Sequence, residues 1–151
     1  MWHSVFAFTN IVALAAWIVL VVLPRRPFPL TLVLYLGVGL LCLVYTLGLA
    51  GVVSGTLAPG AGNGTGAGFG SVEAVRAIFA TDAGVAIGWT HYLAFDLFTG
   101  LWIARDADAK EFSRLVQVPV LLATFLVGPV GLLFWLAIRE RRARQLHGRP
   151  K

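Results

Sequence analysis

Four long apolar runs constrain this chain more than any other feature. A helix needs roughly 20 residues to cross a bilayer core. Residues 5–23, 30–53, 83–104 and 115–138 are apolar runs of about that length. Only 13% of the 151 residues are charged, where an ordinary soluble domain carries about 25%. The expected fold is therefore a single all-α integral membrane domain with four transmembrane helices. The first run stops at P-R-R-P-F-P, whose prolines and arginines cannot continue a buried helix. It has neither a basic leader nor a small-residue cleavage site, so it reads as a mature helix rather than a signal peptide. In the second run, Gly37, Gly39, Gly48 and Gly51 let neighbouring helices approach closely. The fourth run holds Pro119 and Gly128-Pro129. A proline there removes one backbone hydrogen bond and clashes with the carbonyl four residues back, which predicts a kink near Phe125 that opens space beside Asp96.

The connection over residues 54–70 is glycine-rich and reads as flexible coil. After it comes S-V-E-A-V-R-A-I-F-A-T-D, where Ser71 can cap and Val72, Val75, Ile78 and Phe79 recur at helical spacing. That predicts a short amphipathic interfacial helix before the third run, the alternative being the first turns of the third helix itself. The segment R-D-A-D-A-K-E after the third run reads as a solvated loop, and the five tryptophans as interfacial belts.

The net charge of +5 is uneven, because half of the twelve Lys and Arg fall in the tail 139–151. A basic tail behind an apolar helix anchors to anionic lipid, and no nucleic-acid partner is expected. With four crossings the Lys and Arg divide seven against five, which places both termini in the cytoplasm by a narrow margin. The absence of an Arg- and Ser-rich transit segment points to a bacterial inner membrane. Cys42 stands alone, which excludes an intramolecular disulfide and a thiolate cluster. The three histidines form no H-x-x-x-H or H-E-x-x-H pair, and there is no G-x-G-x-x-G or P-loop, so neither a metal site nor a cofactor is expected.

The chemistry concentrates in W-T-H-Y-L-A-F-D-L-F-T-G, residues 89–100. A charged group at a helix centre costs at least about 2.5–3.5 kcal/mol on insertion scales, so Asp96 is a functional candidate. A neutral, protonated carboxyl in an apolar setting is a competent proton donor. At about 100° per residue, Tyr92, Asp96 and Thr99 share one stripe, while His91, Phe95, Phe98 and Trp102 share another. Depth along antiparallel helices brings Asn10, Tyr45, His91, Asp96 and Thr124 towards one cavity. Asn10, Thr46 and Thr124 serve equally well as hydrogen-bonding groups between helices. Phe95, Phe98 and Trp102 would wall an apolar groove.

At these residues the chain resembles a known family. The stretch H-Y-L-A-F-D-L-F-T-G-L-W-I-A-R-D-A, followed by P-V-L-L-A-T-F-L-V-G-P-V-G-L-L, is similar to the abscisic-acid-deficient-four-like family, whose plant members are associated with making neoxanthin from violaxanthin. The resemblance implies a small membrane protein acting on a carotenoid-like or other isoprenoid lipid. It directs attention to His91, Asp96, Arg105, Asp106, Thr124 and Pro129. Opening a 5,6-epoxide to an allenic alcohol is redox-neutral and needs one acid and one base. The leading expectation is an acid–base isomerase with Asp96 as acid and His91 as base or orienting group. Substrate contacts would come from Asn10, Tyr45, Tyr92, Phe95, Phe98, Thr99, Trp102, Thr124 and Pro129. A non-catalytic carotenoid-binding protein or partner of a carotenoid enzyme is the alternative, and a small proton-coupled transporter the third reading. The partners expected are the bilayer and a lipophilic ligand, with a second copy of the chain also open.

Overall fold

The computed structural model describes residues 1–23 and 26–147, the last seven by their backbone alone. Five helices follow in order: α1 (Trp2–Val22), α2 (Pro27–Val53), α3 (Val72–Ile78), α4 (Asp82–Ala109) and α5 (Arg114–His147). Among the described residues there is no strand, only one isolated bridge between Gly62 and Thr81. The basic tail expected over 139–151 continues α5 to His147, while residues 148–151 lie outside the described residues.

Three helices are long and apolar enough to cross a membrane, namely α1, α2 and α5 over Arg114–Glu140. The expectation of four is corrected here. At 28 residues α4 has ample length, but Asp96, His91, two threonines and three glycines in its middle dilute its apolarity. It tolerates them because it is the central post of the bundle. It packs against α1, α2 and α5, and eleven of its residues are buried. Small residues set the close approaches. A methyl on Gly37 of α2 would press on Ala16 of α1 and Leu97 of α4, and one on Gly100 would overlap the Trp17 ring. Gly37 lies in a stretch of α2, Val33–Gly39, that is wound as a π-helix. The amphipathic helix forms as α3, capped by Ser71 Oγ accepting from the Ala74 amide at 3.1 Å. It is separate from α4, which has its own cap in Thr81 Oγ1 accepting from the Gly84 amide.

The stack has two distinct ends. At one, Trp2 Nε1 donates to the Ala58 carbonyl at 2.8 Å, and the chain between α2 and α4 folds over the helix ends. At the other, Arg114 donates to the Val21 and Leu23 carbonyls at the end of α1. We call these the cap end and the latch end.

The largest departure from expectation is in α5. Val127 is non-helical (φ −145°, ψ 57°), two residues beyond the predicted kink. The chain does not merely bend there. Gly131 lies against the backbone of Thr124, although a straight helix would separate them by about 10 Å. Trp135 and Arg139 return to Asp106 near the end of α4, and Trp135 packs on Phe112 at 5.0 Å between ring centres. Both arms, 114–126 and 128–147, therefore meet the latch end. Pro129 supplies no N–H to the turn before it and disfavours helical backbone at Gly128. Gly128 in turn accommodates a neighbour that any larger residue would meet, the Asp96 carboxyl. The first residues lie at the cap end and the second arm runs to the latch end, whereas four crossings would bring the termini together.

Two smaller expectations are also corrected. Trp2, Trp17 and Trp135 are buried core residues rather than interfacial belts. R-D-A-D-A-K-E is mostly the last turn of α4 instead of a solvated loop, because its acids find partners across the latch end.

Candidate functional site

The expected single cavity is divided by α4 into two regions. On one side, Asp96 faces α5, its carboxyl against Gly128 at the reversal. On the other, His91 faces α2, with its ring 5.3 Å from that of Tyr45 and 4.7 Å from that of Phe95. This follows from their spacing, since five residues along a helix turn a side chain by about 140°.

His91 and Tyr45 lie on the wall of a cavity of about 780 Å³. Its sides are Leu49 and Val52 of α2, Ile87 and Gly88 of α4 and Ile78 of α3. Its cover is the glycine-rich connection, an irregular segment hydrogen-bonded to α3 and α4. The Asp82 amide donates to the Ala61 carbonyl at 3.0 Å, the Ala83 amide to Pro59 at 2.9 Å and the Gly68 amide to Ala74 at 3.1 Å. The Asp82 carboxylate accepts from the Ala61 amide at 3.0 Å. Glycine is required at 62, where φ is +105° and a Cβ would strike the Ala80 carbonyl. Asn63 and Thr65 close a local turn and line the cover with Phe69 and Phe79. A volume in the ~300–1,000 Å³ range, apolar walls and a few convergent polar groups are the features of a small-molecule site.

The remaining expected residues are dispersed. Asn10 accepts from Trp89 Nε1 at 3.1 Å and donates to the Phe6 carbonyl at 2.7 Å, joining α1 to α4. Tyr92 does not pair with Asp96 but stacks on Trp89 at 5.6 Å, nearly parallel. Thr124 is buried and returns its hydroxyl to the Val120 carbonyl, and Thr46 does the same to Cys42. Phe95 and Phe98 are exposed and do not line the His91 cavity. Thr99 is half-buried below Asp96. Trp102 lies under the Arg139 guanidinium, 5.5 Å from its ring centre. Pro129 sits at the reversal.

The latch end holds a cluster of which the resemblance pointed to Asp106 but not to its partners. Asp106 accepts from Arg139 Nε at 2.7 Å and Nη2 at 3.1 Å, from Trp135 Nε1 at 3.0 Å and from Lys110. Burial pushes this carboxyl up, but the Arg139, Lys110 and Trp135 donors more than offset it and hold it at about 2. Gln117 bonds Asp108 beside it at 3.0 Å. Nothing in local spacing links Asp106 to Arg139, 33 residues away. The signal that was present is G-P-V-G: two glycines around a proline permit a reversal, where a proline alone gives a bend.

Comparison with known proteins adds one finding. The family model described as ABA4-like, ABA DEFICIENT 4-like, matches residues 4–135. Searches of curated proteins and of solved structures give no match.

Proposed function

The chain belongs to the ABA DEFICIENT 4-like family, and on that premise we propose that it is a membrane-embedded isomerase of an isoprenoid lipid, of the epoxy-carotenoid class. The observation that carries this reading is the 780 Å³ apolar cavity with His91 and Tyr45 side by side on its wall. The ring end of the lipid would enter between α2 and α4, beneath the cap. The Tyr45 hydroxyl donates a proton to the epoxide oxygen as its C–O bond opens. His91 takes the proton lost from the adjacent carbon, the C–H electrons form the new double bond, and an alcohol remains. No electrons are gained or lost, and the two side chains return to their starting states through one proton transfer between them. Tyr45 thus stands where the sequence suggested Asp96, because Asp96 faces the other side of α4.

The reversal of α5 also bears on placement. In this reading α1, α2 and α4 cross the membrane and α5 enters and leaves by one face. Each arm is about 20 Å long before it reaches the latch end, against a hydrocarbon core of about 30 Å. Arg26, Arg105, Lys110, Arg114 and Arg139 then share the latch end, and Arg76 stands alone at the cap end. Six further basic residues, Arg25, Arg141, Arg142, Arg144, Arg149 and Lys151, flank the latch end in sequence. By the positive-inside rule the latch end is cytoplasmic and the N-terminus is outside.

The test is the purified protein in lipid vesicles with an epoxide-bearing carotenoid, its products separated and read by absorbance. Turnover is expected in the parent and a loss of at least a hundredfold in His91→Gln, with pigment still bound. Pigment bound without turnover in the parent selects the non-catalytic binding reading. Pigment bound equally by Ala77→Phe, which fills the cavity from α3, overturns the site itself.

A further inference from the structure

His91 is the base of the reaction above, yet nothing polar holds it. Among the described residues no hydrogen bond or ion pair forms to either nitrogen of its ring. The base of an acid–base pair is ordinarily oriented by a third group that accepts a hydrogen bond from it. Within a bilayer such a group, a carboxylate above all, carries a high desolvation cost. Asp96, the acid in the middle of α4, does not serve, because its carboxyl lies against Gly128 of α5.

Crowding does not fix the His91 ring either, since the residue is exposed. In a helix the preceding turn closes the χ1 well near +60°, and two staggered wells remain. They point the imidazole in different directions. Two rings settle the choice. Tyr45 approaches from α2, 5.3 Å from the imidazole between ring centres. Phe95 approaches from the next turn of α4, at 4.7 Å with the planes inclined by 32°. Both distances are those of interacting aromatic pairs. Side chains on a helix lean towards its N-terminus, so Phe95 reaches back over the turn of His91, and His91 leans towards the cap end. Phe95 is 58% exposed and does not border the cavity. It neither fills the core nor touches a ligand held beneath the cap, and its one ring contact among the described residues is His91.

We propose that Phe95 is the positioning residue of His91. Ring packing across one turn of α4 holds the imidazole towards Tyr45 and the cavity, in place of a hydrogen bond. The kinetic consequence rests on the acid–base reading of the cavity, and the orientation rests on geometry alone. Ring packing suits the task chemically. A hydrogen-bonded orienting group would occupy one ring nitrogen, whereas an aromatic ring occupies neither. Both nitrogens stay open, so the base can take a proton from the lipid and pass it to Tyr45 without first breaking a bond. An aromatic pair shifts an equilibrium between two rotamers by about two- to tenfold, which sets the size of the effect.

The experiment compares the full chain with Phe95→Leu, which keeps an apolar side chain but no ring, and Phe95→Tyr, which keeps the ring. Each is placed in nanodiscs with isotope-labelled histidine, and turnover is followed with an epoxide-bearing carotenoid. His91→Gln assigns the His91 signals by their loss. In the parent, ring currents should displace the His91 ring protons from the positions of free histidine, and a nuclear Overhauser contact should join the His91 and Phe95 rings. Part of the displacement should vanish in Phe95→Leu and persist in Phe95→Tyr. In Phe95→Leu kcat should fall about three- to tenfold with KM within about twofold, and Phe95→Tyr should restore it. Phe134→Leu, on the second arm of α5 and also 58% exposed, should change neither readout. Unchanged His91 shifts or an unchanged kcat in a folded Phe95→Leu overturns the proposal. So does a loss that Phe95→Tyr leaves unrestored, or an equal loss in Phe134→Leu. Should Phe95→Leu not fold, absence of the Overhauser contact in the parent overturns it. A parent that binds pigment without turnover defeats the reaction, while the shifts and the contact still decide the orientation.

Discussion

The two ends of α4 hold their surroundings by opposite means. At the cap end, order comes from many weak contacts: backbone hydrogen bonds from Asp82, Ala83 and Gly68, the Trp2–Ala58 bond and two side-chain caps. No one of these carries the cover alone. At the latch end, the single carboxylate of Asp106 gathers Arg139, Trp135 and Lys110, and through them ties the second arm of α5 to α4. The difference teaches where each region is vulnerable. A distributed fastening loses little when one contact goes, whereas a concentrated one fails at a point. It also fits position. The cap borders the cavity, and the latch ties the second arm of the reversal to α4.

The comparison is most exposed to Asp106→Ala. Removing the carboxylate from this half-buried charge cluster leaves its donors without their acceptor, at about 1–3 kcal/mol. The unfolding free energy in mixed micelles should fall by about that much. A loss under about 1 kcal/mol would mean that the latch is not concentrated after all. The next effect is at Gly62→Ala, where a non-glycine residue at positive φ and a clash with Ala80 should cost about 1–3 kcal/mol. That loss should be local. Tryptic cleavage at the exposed Arg76 should quicken roughly tenfold or more, while the global unfolding midpoint stays put. A matching shift in the global midpoint would show the two ends to be coupled.

The pH response sharpens the same contrast. Asp106 is held at about 2 in the folded chain, below the ~3.9 of an unfolded aspartate. A depressed carboxyl stabilises fully above the unfolded value and loses that stabilisation as pH falls towards the folded one. Stability from the latch should therefore be flat from pH 7 to about 5 and decline between about 4 and 2. Asp106→Asn should lack that part of the decline. The smallest effect is expected from Ser71→Ala, which removes one helix cap for about 1 kcal/mol or less. Circular dichroism should register it as fraying of α3 alone.

Much of the fold was legible because its signals are local. Helix ends fell within a few residues of expectation at Val22, Val53 and Asp82, where proline, glycine and Thr81 punctuate the chain. The separate α3 was readable from Ser71 and its apolar spacing. The reversal of α5 was not, because a proline beside glycines is compatible with either a bend or a turn. The decision is made by contacts far away in sequence, between Asp106 and Trp135 and Arg139. Composition misled for α4 in the reverse sense. Its His91 and Asp96 stand out in the sequence, but a helix that is enclosed by others can carry polar residues on several faces. Sharing a segment therefore did not mean sharing a site. The cap was illegible for a related reason. Glycine-rich composition usually signals freedom, and here it supplies the positive φ at Gly55, Gly60, Gly62 and Gly66 that a tightly folded cover needs.

The distributed fastening of that cover has a consequence in time. Apart from the Trp2–Ala58 bond, each of its hydrogen bonds joins residues within or beside the short segment 51–83, so the cover can loosen without separating any pair of long helices. Opening costs only the sum of a few surface bonds, well below global unfolding. In deuterated buffer, the amides of Gly68, Asp82 and Ala83 should exchange long before those of Leu97 and Leu101 on α4. The rate at which they do so sets an upper limit on how often a lipid can come and go beneath the cap.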